Sequence, residues 1–535
     1  MFGWLRKKNT NSSADKNKQS GAKDGPGQSL DRTTLMKALR ENEEYLKEKF
    51  GESFDLIYRR FHIPFKNTDA LIVYISGMVD SRIIDQTILS PLMNPVNLSE
   101  SQPKKTEYIS MMMESGVFTS EVKVTIYWNE ICDAVLEGET ALMVDRCAEA
   151  LVLNTKKYAN RAVSEPSAES EVRAPRDGFV ENIQINASLI RRRIKDYGLR
   201  FETLKVGQRS KTTVSLVYIQ GLANEALIKE VKIRLNRIQT DAILAGGYIE
   251  EFIQDAPTSI FPQVANTERP DRACAAILEG RIAILIDTTP FALIVPAGFW
   301  QFLQTSGDYY ERFFLGSFIR WVRFLALFLS ISLSPLYVLL TSFHQEMLPT
   351  ALALKIAAGR SGVPFPAFIE AFLMEIILEI MKEAGLRMPK PLGQTVSIVG
   401  TLVIGQAAVA AGLVSPLMVI TIAVAAISSY AIPAFNMSNS LRLIRFPLLI
   451  LSTLFGLMGY LAGLIVISLH LMSLRSFGVQ YLAPVIPFHR SSLRDILVRA
   501  PWWHMKNRPS IAQPQDPSRQ SSDDLMPKPP KNGER

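Results

Sequence analysis

The residues best placed to do chemistry stand in GVPFPAFIEAFLMEIILEIMKEAG (362–385), a segment of membrane-spanning length that carries Glu370, Glu375, Glu379 and Glu383. At about 100° per residue, Glu375, Glu379 and Glu383 share one stripe with Lys382, and Leu373, Met374, Ile377, Leu378 and Met381 lie broadly opposite. A carboxylate near a bilayer centre costs about 2.5–3.5 kcal/mol, whereas a Leu or Ile returns only about 0.5 kcal/mol. Three glutamates therefore cancel the apolar face, and the stripe cannot be turned to lipid. Two arrangements remain. Either the helix lies along the interface with its acidic face in water, or the stripe faces protein or water within an assembly and lines or gates a cation path. Pro364 suits a first helical turn, and Gly385 suits the end of the helix.

Apolar runs surround this segment. Pro391–Leu441 contains no Asp, Glu, Lys or Arg and breaks near Ser415-Pro416, giving two expected helices, Leu392–Leu413 and Leu417–Phe435. Phe324–Gln345 and Phe446–Leu474 are also free of charge. Four spans are the expected minimum; the acidic helix and Met347–Gly359 could raise the count to six. Trp300 and Trp321, with Arg312, Arg320 and Arg323, read as an interfacial belt before the first span. The tail carries Arg475, Arg490, Arg494, Arg499, Lys506 and Arg508 against a lone Asp495. Both flanks argue for a cytoplasmic N-terminal domain and a cytoplasmic tail, hence an even number of crossings. If the acidic helix spans and Met347–Gly359 does not, five crossings result and these signals conflict. Gly400, Gly405 and Gly412 in an Ala-rich helix, and Gly459 with Gly463, offer close helix packing. Pro335, Pro416 and Pro433 could bend or interrupt helices. His470, inside the last run, reads as a partnered structural histidine before a functional one.

The polar half alternates helices and strands and repeats itself. A helix is expected from Asp31 or Thr33, strands at 54–61 and 70–77, and a helix over Asp80–Leu92. VYISGM (73–78) returns as VYIQGL (217–222), and CDAVLEGETALMVD (132–145) as CAAILEGRIAILID (274–287). The two offsets, 144 and 142 residues, agree closely enough to indicate an internal duplication. In each copy a helix ends at Glu137 or Glu279, Gly138 or Gly280 takes the left-handed cap, and Asp145 or Asp287 closes the next strand. Caps and turns account for these paired acids more simply than catalysis or metal binding. The expected fold is an α/β duplicated N-terminal soluble domain followed by an all-α polytopic transmembrane domain. Its parts are a disordered leader (1–30), two α/β subdomains (31–160 and 178–295) joined by a linker (161–177), a membrane-approach segment (296–317), a helical membrane domain (318–480) and a basic, Pro-rich tail (481–535), read as disordered beyond Pro509.

The formal net charge of +8 is carried in large part by the tail, so anionic lipid is a simpler partner than nucleic acid. Cys132, Cys147 and Cys274 are odd in number and lack CxxC spacing, which fits a reducing face and no disulfide framework. The chain starts MFGWLRKKNT and stays polar, with no apolar signal-peptide core. No phosphate loop, GxSxG, HExxH or CxxC occurs, and the histidines are scattered. No enzyme activity, metal or cofactor is expected.

ERPDRACAAILEGRIAILIDTTPFALIVP (268–296), the 362–385 segment and RMPKPLGQTVSIVGTLVIGQAAVAAGLVSPLMVI (387–420) resemble the A subunits of spore germinant receptors, the GerA family, over roughly residues 50–490. The resemblance implies a multi-pass protein of the inner spore membrane of an endospore-forming bacterium. It implies partnership with a transporter-like B subunit that holds the nutrient and a C-subunit lipoprotein, and nutrient-triggered ion release followed by release of dipicolinate. It also implies a homo-oligomer of A subunits, a ring of five forming a nutrient-gated ion channel. On this resemblance Val363 heads the acidic helix, Pro364 and Pro366 set the pore mouth, and Glu370, Glu375, Glu379 and Glu383 line or abut the path. Two other classes stay open. A secondary transporter would show inverted repeats in the membrane half, where none is found. A membrane-anchored scaffold recruiting germination partners would have no need of the acidic stripe.

Overall fold

The computed structural model describes residues 34–64, 67–93, 121–157, 166, 169, 171–389, 403–488, 495–521 and 525–527. The leader and part of the linker lie outside them.

The first subdomain runs α1 (Leu39–Phe50), β1 (Leu56–Ile63), β2 (Thr68–Ile75), a helical stretch over 81–93, β3 (Val122–Thr125), α2 (Trp128–Leu136), β4 (Thr140–Val144) and β5 (Ala150–Leu153). Its first helix starts later than the sequence reading has it. Leu39 N–H is captured by Asp145 Oδ1 at 3.1 Å, and that contact over a hundred residues away sets the start. The second subdomain runs α3 (Ile183–Arg191), β6 (Leu199–Val206), β7 (Thr212–Ile219), α4 (Glu225–Asn236), α5 (Gly246–Ile253), β8 (Ala265–Thr267), α6 (Pro270–Leu278), β9 (Ile282–Ile286) and β10 (Ala292–Val295).

The sheets have one plan, with orders β1-β2-β4-β5-β3 and β6-β7-β9-β10-β8. Every ladder is antiparallel, and even the register recurs: Val73 pairs with Ala141, and Val217 with Ala283. β4, β5, β9 and β10 are buried on both faces, which is why they read as unbroken apolar runs. Gly138 and Gly280 take φ of +88° and +86°, the left-handed region where a Cβ is costly. Asp287 Oδ1 accepts from Ile183 N–H at the start of α3, as Asp145 does for α1. The subdomains lock through Arg191 and Asp55, both buried, at 2.8 and 3.2 Å.

The helical half comprises α7 (Phe313–Ser342), α8 (Thr350–Arg360), α9 (Ala367–Arg387), α10 (Pro416–Tyr430) and α11 (Phe435–Ser473), with a further helical stretch at 403–410. By length and composition α7 and α11 could each cross a membrane. Yet α11 is not one rod. Gly456 has non-helical angles (φ 57°, ψ −138°), and the chain reverses there. A Cβ on Gly459 would fall 2.1 Å from Leu451 O, and one on Gly463 2.5 Å from Leu448 Cδ2. Ser440 and His470, on opposite arms, both reach the 259–260 loop. Residues 435–455 and 457–473 are therefore antiparallel arms, and the run 446–474, read as one span, is folded back at Gly456.

The expected span at 417–435 is met by the 15 residues of α10, Pro416–Tyr430. Half of the expected 392–413 helix lies outside the described residues, and the described half is helical over 403–410. Residues 510–521 are held where the sequence reading has disorder: Ile511 and Ala512 are buried, and Gln515 N–H donates to Leu222 O at 2.9 Å. Composition is a poor guide here because a short apolar pair, anchored on a neighbouring domain, suffices to hold the segment. Domain and tail lie at the same end of the bundle, with Tyr481 donating to Pro262 O at 2.7 Å and accepting from Phe299 N–H.

Candidate functional site

The acidic helix α9 begins at Ala367, with Pro366 as N-cap, so Pro364 and Val363 lie in the turn before it rather than in its first turn. Val363 is half-buried there, and Pro364 and Pro366 are exposed. Gly385 sits inside the helix, which continues to Arg387. The first half of α9 is packed against α7, α10 and the first arm of α11, while its second half becomes progressively exposed.

Each glutamate meets an arginine. Glu370 is wholly buried; its Oε1 takes Arg360 Nε at 3.2 Å, and its Oε2 accepts Ser415 N–H at 3.0 Å, at the N-cap of α10. A carboxylate at that end also complements the helix dipole. Glu375 takes Arg445 Nη1 at 2.7 Å and the Ser334 hydroxyl at 2.7 Å. Arg445 Nε donates to Ser330 O at 2.6 Å, so the pair ties α7, α9 and α11 together. Glu379 is half-exposed and bidentate to Arg442, whose Nε lies 3.2 Å from Glu379 Oε2. Glu383 is exposed and pairs only with Arg387, one turn along, at 2.6 Å. Lys382 lies over the Tyr430 ring at 4.7 Å.

The stripe is thus graded, from sealed pairs at Glu370 and Glu375 to an open end at Glu379 and Glu383. Buried pairs of this kind are tolerated because every charge has a partner and added hydrogen bonds. Sequence reasoning isolated the acids but missed Arg360, Arg442 and Arg445. The signal was available: Arg442 and Arg445 are the two charges that end the long uncharged run before Phe446.

Outward faces of the bundle are apolar and exposed, with Phe318, Leu325, Ile427 and Val466 among them, whereas Ser330, Ser334 and Ser452 are buried. Gly405 faces Val419 Cγ1 of α10, whereas Gly412 lies not in a helix but in a turn (φ +65°) against Gly362 O; Gly400 lies outside the described residues. His470 meets Ser259 Oγ at 2.9 Å and is partnered. Trp321 stays exposed, but Arg320 is no surface belt residue. It is buried and paired with Asp308 (3.1 Å) and Asp495 (3.0 Å), which fastens the tail to the base of α7. In the first copy, Glu137 is held below the usual carboxylate range by Lys195 and Lys156. No group of three or more His, Cys, Asp or Glu able to hold a metal occurs among the described residues.

The sequence profile described as Bacillus/Clostridium GerA spore germination protein matches residues 44–511. Spore germination protein KA of Bacillus subtilis is 43% identical over 487 residues, covering 91% of this chain and 89% of that one. The uncharacterized membrane protein YfkQ of the same organism is 42% identical over 471 residues, 88% and 90% of the two chains. A crystal structure of the N-terminal domain of the A subunit of the Bacillus megaterium spore germinant receptor GerK3 is also similar (34% identity, TM-score 0.40, 50% of this chain and 98% of that one). On the extent of the profile match and of these identities, the chain belongs to the GerA family of spore germination proteins.

Proposed function

We propose that this chain is the A subunit of a nutrient-germinant receptor in the inner spore membrane, and that copies of it, a ring of five, surround an ion path lined by the open end of α9. The observation that carries this reading is the gradient along the acidic stripe. Glu370 and Glu375 brace the bundle from inside, while Glu379 and Glu383, paired with Arg442 and Arg387, stand exposed, where contact with lipid carries a cost. A shared watery axis removes that cost. Membrane embedding is supported by the inside-out pattern, with apolar residues outward and serines and ion pairs inward. Ser334 by Glu375 and Tyr337 by the Glu370–Ser415 pair set α7 against α9. By contrast α9 and α10 run the same way, with Glu370 by Ser415 at their starts and Lys382 over Tyr430 at their ends. This reading therefore takes the stretch at 403–410 as the return between them, followed by the two antiparallel arms of α11. Counting the stretch ending at 410, six crossings result, an even number that returns the tail to the side of the N-terminal domain, taken as cytoplasmic.

The B and C subunits implied by the family would supply nutrient recognition, and the duplicated domain would couple neighbouring subunits. The direct test is ion efflux after germinant addition from spores carrying Glu379→Ala with Glu383→Ala. The reading expects slowed efflux at normal protein level; unaltered efflux would take these carboxylates out of the path. A scaffold or a slow transporter would give no unitary currents from purified protein in a bilayer.

A further inference from the structure

The second copy of the duplicated unit differs from the first at one position with a consequence for binding. Glu139 of the first copy pairs with Lys156 at 2.8 Å. Its counterpart is Arg281, the residue directly after Gly280. Arg281 is 9% exposed and pairs through Nη2 with Glu279 Oε2 at 2.7 Å, yet its Nε has no hydrogen-bond partner among the described residues.

Arg281 lines a cavity of about 210 Å³ between α6, the 301–310 segment and the tail. Ala276 and Ile294 supply apolar wall, and Tyr309, Tyr310 and Trp502 supply aromatic wall. Most polar groups of the lining are already satisfied. Tyr310 Oη donates to Asp271 at 2.7 Å, Arg272 pairs with Glu169 at 2.7 Å, and Gln304 Nε2 donates to Asp495 O at 2.7 Å. The buried polar atoms left over are Arg281 Nε and the Ser306 hydroxyl. A buried donor left unpaired is costly, so an acceptor that reaches it is favoured.

We propose that this cavity binds a small organic carboxylate with an apolar or aromatic body, its carboxylate accepting from Arg281 and Ser306 and its body lying among Ile294, Tyr309 and Trp502. An arginine suits a planar carboxylate through its donor geometry. The surroundings also explain why the guanidinium welcomes a counter-charge. Burial pulls its pKa below the ordinary value, and Glu279 offsets this only in part. Tyr309 donates to Asp495, which holds Arg320 at the base of α7, so an occupant touches residues joined to the first helix of the bundle. This site lies outside the bundle and does not rest on ion conduction.

The test uses the full chain in lipid nanodiscs, titrated calorimetrically with phenylacetate, acetate and benzyl alcohol. The expected result is saturable binding of phenylacetate at one site per chain, at least tenfold weaker for acetate, which lacks the body, and for benzyl alcohol, which lacks the charge. R281Q should weaken phenylacetate at least tenfold. A275F, at an exposed position on the rim, should abolish binding while leaving the thermal midpoint within a few degrees. If R281Q fails to fold, S306V serves in its place. Absence of saturable heat, equal binding of benzyl alcohol, or unchanged affinity in A275F would overturn the assignment.

Discussion

Glu375 of α9 and Arg445 of α11 meet at 2.7 Å with both side chains almost fully buried, seventy residues apart in sequence. Ser334 of α7 adds a hydroxyl to the same carboxylate at 2.7 Å. Ser334 lies thirteen residues along α7 from Trp321, about 20 Å at 1.5 Å per residue. The pair is a brace, and its removal should show as lost stability before lost conduction.

Glu375→Ala leaves Arg445 buried without its counter-charge, which costs about 3–5 kcal/mol. The apolar double variant E375L/R445L should recover most of that loss. Unfolding of purified protein in detergent measures both. A single variant as stable as the parent would mean that the brace carries no weight.

The glycine turn of the second copy allows a sharper comparison. Gly280 and Gly221 both have left-handed φ, at +86° and +79°, and an L-residue there costs about 1–2 kcal/mol. At Gly280 a Cβ would also fall 2.9 Å from Pro514 Cβ, whereas at Gly221 it meets nothing within 4 Å. Thermal unfolding should therefore rank G280A below G221A. Limited proteolysis should release the tail in G280A alone.

Thiol chemistry reports on the two cores. Burial pushes both Cys132 and Cys274 up to about 12, so at pH 8 each is almost wholly thiol and shielded. Since the thiolate is the reactive form, iodoacetamide at pH 8 should label both slowly in folded protein and fully after denaturation. Mass spectrometry of the tryptic peptides gives the ratio. Rapid labelling of Cys274 in folded protein would contradict its place on the buried face of α6.

Much of the soluble half was legible, because local signals there agree. The LEG turn fixes a helix end, a left-handed glycine and a buried strand within about ten residues, and it occurs twice. The bundle was legible only in its acids. Nothing near Glu375 announces Arg445, because the partner is brought in by tertiary packing seventy residues on. Gly456 reads as one more small residue in an apolar run, since a helix reversal there depends on what Gly459 and Gly463 can approach. The tail misled for the converse reason: its polar composition hides Ile511 and Pro514, which dock on a surface built by residues some 200 positions earlier.

The central claim is that several copies share a wettable axis at the open end of α9, and cross-linking in native spore membranes tests it most directly. Amine-reactive cross-linking of intact membranes, followed by immunoblotting for this chain, should give a ladder that ends at five copies and shortens in E379A/E383A. A chain that stays monomeric at every cross-linker concentration, with its B and C partners present, would contradict the account.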